Sequence, residues 1–516
     1  MSRRYQMGIV GGGFGGSLMA MVATRLGYDV VLIERQRHPR FSIGESSTPL
    51  TNLLLERLAD EYNLPFLKAF TKWGRWKKEK PDIRCGKKRG FSFFHLDGDD
   101  AGSSTDDQLL VAASPHDDIA DTHWYRPSFD EYLFEQARSL GVEALQGAHI
   151  SSFAQAGTAW RLEVTQEDGV AEYRVDCLID ASGPRGFLFN ALNLRESELC
   201  GLQQRGAVFG HFSGFERLSD RWRGRNEAGF DPDDAAVHYL FREGWVWSLR
   251  FDDGLTSLGL VLKGDSEKFG VTQQSGQAWV DAVRELPIVG EALAKAKLES
   301  PLVKVAKIGF KTPKAVGPGW ILLPSSVGSV DPMMSTGIPL NLLGILRLGK
   351  ILERNRDSWW GLPALQDYSR ATIADLDWTA TLIGALYDRL GQPFRFNTLT
   401  MIYFTAAIYS ETLWRLGREK EVPGFMLSGE PVFREKVERL LALDRSVAET
   451  DGKLDEGFWR ELWRELSAYD LGGLSRLERR WCFPVVDRDF LDSAAKIGSS
   501  AEVLQGLLRK AGFYSE

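Results

Sequence analysis

The sequence predicts an α/β chain: a Rossmann-like dinucleotide-binding domain, an inserted antiparallel β-sheet substrate domain, and a C-terminal helical region. Three observations carry this. A strand, a glycine-rich turn, a helix and a second strand follow one another within residues 7–35. Short apolar or alternating runs then recur at 160–166, 172–182, 206–212, 236–241, 244–251 and 257–263. From about residue 338 the apolar spacing is mostly helical.

In order along the chain, "MGIV" (7–10) is a short buried strand and "GGGFGG" (11–16) is its turn. Residues 17–28 have helical spacing and end near Gly27, and "DVVLIER" (29–35) closes the β-α-β unit. Residues 50–70 read as helix. Residues 71–125 read as irregular, with a strand at 90–96 and a mobile loop at 97–107. A helix is expected at 128–141, opened by a Ser128 N-cap with Glu131 in capping-box position. Strand and turn return at 319–332, and 458–469 has amphipathic helical spacing. The expected division is 1–80, 108–190 and 310–355 for the dinucleotide domain, 81–107 and 191–309 for the β-sheet substrate region, and 356–516 for the helical domain.

The composition is that of a globular chain: 516 residues, 43% hydrophobic and 26% charged. A net charge of −7 argues against nucleic acid as a partner, because phosphate binding wants a basic surface. No apolar run reaches the roughly 18 residues of a membrane span, and no leader peptide is expected before the first strand. Cys85, Cys177, Cys200 and Cys482 are scattered without CxxC spacing, so free thiols in a cytoplasmic setting and no metal site are expected.

Gly11-x-Gly13-x-x-Gly16 lies between a strand and a helix, and Glu34 ends the next strand 18 residues after Gly16. The glycines permit a tight turn and let backbone approach a pyrophosphate. The helix start supplies free N–H groups, and the acid can accept ribose hydroxyls. The whole unit predicts an adenine dinucleotide.

"IGESSTP" (43–49), Arg126 and Asp130 in an Arg-x-x-x-Asp pattern, and "CLIDASGPRG" (177–186) resemble motifs of the aromatic-hydroxylase-like flavoprotein superfamily. That resemblance implies FAD, and with no second GxGxxG no separate NADPH domain is expected. Within it, "KRGFSFF" (88–94), "GWVWSL" (244–249), "SVDPMMSTGIPLNL" (329–342) and the helical 401–418 resemble segments of the flavin-dependent halogenases.

The resemblance implies the following roles. FAD contacts fall on Gly11, Gly13, Phe14, Gly15, Gly16, Glu34, Arg35, Ser46, Arg126, Asp180, Asp331, Gly337 and Ile338. A halide, chloride or bromide, is held by Ser335, Thr336 and Gly337, since bare amides at a helix start suit a weakly hydrated anion. Lys88 is the catalytic lysine and Glu45 a flavin-side acid; Trp245, Trp247, Phe93 and Met334 line the substrate pocket. His95 and His123 are near enough in sequence to line the pocket as well. Reduced FAD from a separate NAD(P)H flavin reductase, with O2, oxidises the halide. Hypohalous acid then reaches Lys88, which presents the halogen to an aromatic substrate, free or carrier-protein-bound. The oligomeric state is open, a homodimer included.

Three departures from the family pattern stand out. Leu249-Arg250 replaces the family's Ile-Pro after the tryptophans, and Pro324-Ser325 replaces its Gly-Asp. Met334 takes the place of the glutamate that tryptophan halogenases carry, which speaks against indole and for a self-activating phenol or pyrrole. The alternative reading is an FAD-dependent monooxygenase that hydroxylates an aromatic or polyketide-like substrate.

Overall fold

The strand Arg3–Val10 is polar where it begins and fully buried over its last four residues, so it enters the core as it approaches the turn. In this computed structural model, which describes residues 3–97, 105–199, 201–218, 226–264, 276–355, 363–446 and 452–514, that strand is the centre of a parallel sheet. Val30–Glu34 and then Glu143–Gln146 pair on one side; Gly169–Asp180 and then Trp320–Leu322 pair on the other, all in parallel. Strands buried on both faces read as continuous apolar runs, which is why 30–34 shows no alternation. The helix Phe14–Arg25 is buried over its first ten residues, because helices Arg126–Ser139 and Gly337–Arg354 pack on it. This is the expected dinucleotide-binding core.

A second sheet of nine strands is built mainly from Arg205–Ser213, Thr256–Lys263, Gly244–Arg250, Ala236–Phe241, Gly90–His95 and Gln108–Ala112, in that order. It is mixed rather than purely antiparallel: Ala236–Phe241 and Gly90–His95 run parallel. Cys482–Phe483 adds to its outer edge beside Gln108–Ala112. The sheet therefore draws on residues from all three expected regions. Cys85–Lys88 and Asp121–Trp124 form a separate two-stranded antiparallel ladder. Helices Pro363–Asp388 and Pro393–Arg415 lead the C-terminal helical region, which continues to Ala501–Ala511.

Three local expectations need correction. The helix expected at 128–141 spans Arg126–Ser139, with Tyr125 at its cap and no side-chain cap; the Ser128 hydroxyl donates back to the Tyr125 carbonyl at 3.4 Å. Pro127 sits in the first turn, where its missing N–H costs nothing. The helix expected over 50–70 stops at Glu61; Asn63 has φ 52° and a 3-10 segment, Pro65–Phe70, follows. Residues 71–125 are more regular than their sequence suggests, with helix Trp73–Glu79 and four short strands. These elements are short and lean on partners distant in sequence, so no local period marks them. Most of the loop expected at 97–107 lies outside the described residues; Thr105–Asp107 is a 3-10 turn.

Candidate active site

Gly11 has φ 102°, and a Cβ there would meet the Ala181 carbonyl at 2.6 Å; a Cβ on Gly16 would stand 1.8 Å from the Gly11 oxygen. Both positions need glycine for the turn to close. Gly13 opens towards charge: a Cβ there would lie 3.2 Å from Arg40 Nη2, 3.4 Å from Asp130 Oδ2, which is paired with Arg126, and 3.6 Å from Arg126 Nη2. Two guanidiniums thus converge on the start of the Phe14–Arg25 helix, where the peptide dipoles already favour an anion. Arg126 is held by both Asp130 oxygens at 2.7 Å and by the Ile43 carbonyl at 2.6 Å, with its guanidinium over the Phe14 ring. Glu34 accepts the Gly12 N–H at 2.7 Å, the Gln36 N–H at 2.8 Å and Arg40 Nη2 at 3.0 Å. Arg35 is exposed just past the strand; the cations beside Gly13 are Arg40 and Arg126. Asp180 is buried and turns inward, accepting the N–H groups of Ser182 and Leu188. Gly15 faces Asn341 of the Gly337–Arg354 helix, so the starts of the two helices meet.

The stretch 331–337 is fastened through its carbonyls. The Met333 carbonyl accepts His238 Nε2–H at 2.7 Å, the Met334 carbonyl accepts the Tyr403 hydroxyl at 2.8 Å, and Pro332 accepts the Ser335 N–H at 3.1 Å. Asp331 anchors the base of the loop. It accepts the Met333 N–H at 3.0 Å, pairs with Arg205 at 2.8 Å and receives the Tyr387 hydroxyl at 3.0 Å. Trp245 Nε1–H donates to that same hydroxyl at 2.8 Å. Ser335 is held at φ 53°, and Thr336 caps the 18-residue helix Gly337–Arg354 without a side-chain hydrogen bond. The opening N–H groups of that helix have no helical acceptor, as at any helix start. In front of Gly337 a Cβ would meet nothing within 4 Å, and Ile338 is buried just behind.

Lys88 and Lys87 part company. Lys87 reaches the surface, where it pairs with Asp117 and Asp234. Lys88 is 0% exposed; its Nζ donates to the Ser47 carbonyl at 2.6 Å and lies 3.9 Å from the Phe91 ring centre. Burial pushes its pKa well below the ordinary lysine range, and the charge of Asp121 pulls it partly back. The preceding residue of the same segment, Ser46, shares a hydroxyl hydrogen bond with Ser335 at 3.0 Å. The dipeptide Ser46-Ser47 therefore joins the loop before Gly337 to the lysine amine. Glu45, next to it, accepts His211 Nε2–H at 2.8 Å and keeps a buried Oε2 without a hydrogen-bond partner among the described residues.

Aromatic side chains surround this centre. His238 stacks on Phe93 at 4.4 Å and lies 5.1 Å from the Trp245 ring, and Phe91 meets Phe404 at 5.4 Å. Trp247 is 5.9 Å from Trp245, with Nε1–H donating to Ser257. Met334 lines a small apolar cavity with Tyr403, Leu399 and Leu386. Burial drops His238 to about 4 and His123 to about 3, so both are neutral. His95 lies apart from the lysine, donating to Asn397 at 3.1 Å. Sequence reading named neither Arg40, His238, Asp121, Arg205 nor Tyr387. Arg40 lies within reach of a composition-based search, six residues past Glu34; the others belong to the site only through tertiary pairing.

Residues 9–55 match the family model of the NAD(P)-binding Rossmann-like domain. The chain is 27% identical over 366 residues to monodechloroaminopyrrolnitrin halogenase PrnC of Pseudomonas fluorescens, which covers 69% of this chain and 63% of that protein. It is 25% identical over 367 residues to a 1H-pyrrole-2-carbonyl-[peptidyl-carrier protein] chlorinase of Pseudomonas fluorescens, strain Pf-5, covering 68% and 77%. The match thus spans less than two thirds of the length of the first of these relatives. Among solved structures, halogenase PltM in complex with phloroglucinol and FAD superposes with a TM-score of 0.82 at 21% identity, over 93% of this chain and 99% of the other.

Proposed function

We propose that this chain, a relative of the flavin-dependent halogenases in sequence and in fold, halogenates an electron-rich aromatic small molecule of phenol or pyrrole type, using reduced FAD, O2 and a halide. The residues present fit the cofactor. The open cradle at Gly13, flanked by Arg40 and Arg126, suits a pyrophosphate, and Glu34 suits a ribose. Ser46 bonds Ser335 just before the Gly337 helix start, and Asp180 and Asp331 each accept a backbone N–H in the turns that follow their strands. Bound and reduced, FAD supplies with O2 the oxidising equivalent that turns halide into hypohalous acid.

The remaining work belongs to side chains and backbone of this chain. With the carbonyls of 332–334 already engaged, the amides of Thr336 and Gly337, which lack a helical acceptor, bind halide, and Ser335 shapes the approach. The observation that carries the reading is the Ser46-Ser47 link: one residue bonds the loop before Gly337 and the next accepts the buried Lys88 amine. Lys88 receives the halogen and orients it towards the ring; its burial keeps an amine nucleophilic. Trp245 and Trp247 exclude water and separate substrate from cofactor. Met334, not a carboxylate, precedes Ser335-Thr336-Gly337, so the substrate supplies its own activation. The pyrrole and phloroglucinol ligands named for the relatives are of that class.

Lys88→Ala with reduced FAD, O2 and bromide against phenols, pyrroles and indoles tests this. Flavin oxidation should persist while halogenated product disappears. Regioselective halogenation by the variant, or a wild-type product carrying oxygen and no halogen, would overturn the reading and favour hydroxylation.

A further inference from the structure

We propose that Asp121 is the proton partner of Lys88, a catalytic acid–base that takes the ammonium proton and returns it to the oxygen leaving hypohalous acid. The inference rests on the reading of Lys88 given above. Lys88 and Asp121 are opposite one another in the ladder Cys85–Lys88/Asp121–Trp124, so their side chains leave on one face. Lys88 is 0% and Asp121 3% exposed. Among the described residues Asp121 has no cation within salt-bridge distance; Lys88 Nζ donates to the Ser47 carbonyl and must turn from it to reach the Asp121 carboxylate on the same face of the ladder. Asp121 Oδ1 accepts Asn52 Nδ2–H at 2.6 Å, while Oδ2 is buried with no hydrogen-bond partner among the described residues. A carboxylate so placed costs free energy unless it takes a proton or a mobile donor. Burial raises its proton affinity and lowers that of Lys88, which brings the two groups together.

The charged and titratable groups facing the pair come from several elements. Glu411, Arg415 and Tyr403 stand on helix Pro393–Arg415, His123 on the ladder itself and His238 on the large sheet. The two histidines are neutral, and Glu411 and Arg415 pair with each other.

The step balances as follows. The Lys88 N–H bond breaks, its electron pair stays on nitrogen, and the proton forms an O–H bond at Asp121. The amine attacks the halogen of hypohalous acid, forming N–halogen and breaking halogen–oxygen. The departing hydroxide takes the proton from Asp121 and leaves as water. Lys88 then carries the halogen as an N-halo ammonium beside a carboxylate. Transfer of the halogen to the ring, with the ring proton passing to nitrogen, restores the ammonium.

Cyanate provides a probe independent of turnover. It is as small as hypohalous acid and carbamylates only a neutral amine. The full-length protein is treated across pH and the Lys88 adduct is followed by mass spectrometry, with Lys87 as internal reference. Asp121→Asn keeps an acceptor for Asn52. It should lower the Lys88 midpoint by at least one pH unit, a tenfold faster reaction below it, and leave Lys87 unmoved. Asp121→Glu, which keeps the acid, should stay near wild type. In turnover, Asp121→Asn should halogenate at least tenfold more slowly with flavin oxidation unchanged. Equal shifts in both variants, an unmoved midpoint, or a Lys88 closed to cyanate would overturn the proposal. If Lys88→Ala abolishes halogenation while Asp121→Asn changes nothing, only the role of Asp121 fails. If Lys88→Ala still halogenates regioselectively, the reading of Lys88 itself fails.

Discussion

Replacing Asp331 with alanine should destabilise the protein far more than replacing its partner Arg205 with methionine. The two side chains are 0% and 1% exposed. The carboxylate is the common acceptor for Arg205 Nε, the Tyr387 hydroxyl and the Met333 N–H. Removing it strands a guanidinium that cannot shed its proton, a penalty of about 3–5 kcal/mol, or roughly a thousandfold in the folding equilibrium. Removing Arg205 strands a group with an escape. Burial already raises the pKa of Asp331, against the opposing pull of Arg205, so without that pull the acid can take a proton and become neutral. The cost of Arg205→Met should therefore shrink as pH falls, because a folded-state pKa above the unfolded one means the folded protein binds the extra proton. Urea unfolding of wild type, both single variants and the double variant, each at pH 8 and pH 5, gives the costs as differences at the same pH. The pair should show a coupling of about 2 kcal/mol or more in the double-mutant cycle. Asp331→Ala within about 1 kcal/mol of wild type, or Arg205→Met costing more at pH 5 than at pH 8, would refute the reasoning.

Gly337→Ala should leave stability within about 1 kcal/mol of wild type, since the added methyl meets nothing within 4 Å and the backbone is helical. It should nonetheless raise the halide concentration needed for half-maximal turnover by tenfold or more, and unchanged halide saturation would count against the anion site. The buried histidines make stability fall in acid. His238 and His95, at about 4 when folded, are neutral in the fold and charge more readily once unfolded, so stability is intact above about pH 6.5 and is lost as pH falls towards 4. Each should cost about 2 kcal/mol between pH 7 and pH 5, and His238→Gln should flatten that slope; an unaltered slope would contradict the assignment.

The dinucleotide half was legible because its signals are local. Gly11, Gly13, Gly16 and Glu34 act within one β-α-β unit, and the spacing that marks them also builds it. The Ser-Thr-Gly stretch was legible as a helix start for the same reason. What escaped depends on pairing across long separations. Asp121 meets Lys88 only through a ladder between strands 33 residues apart, and His238 meets Met333 across 95. Ser128 misled because a serine before an apolar run suits a first turn as well as a cap; the Arg-Pro pair ahead of it already starts the helix. The tryptophan pair was correctly placed on one face by strand alternation, but its bond to Tyr387 of a distant helix left no mark in the sequence.

On the proposed mechanism, peptide amides at Thr336 and Gly337 capture halide next to Ser335, which Ser46 bonds. Anomalous diffraction from a crystal of the full chain soaked in bromide tests it most directly. A bromide peak is expected in the open space before Gly337, absent from Gly337→Ala crystals treated identically. Bromide found only at the surface, with that space empty at saturating salt, would contradict the account.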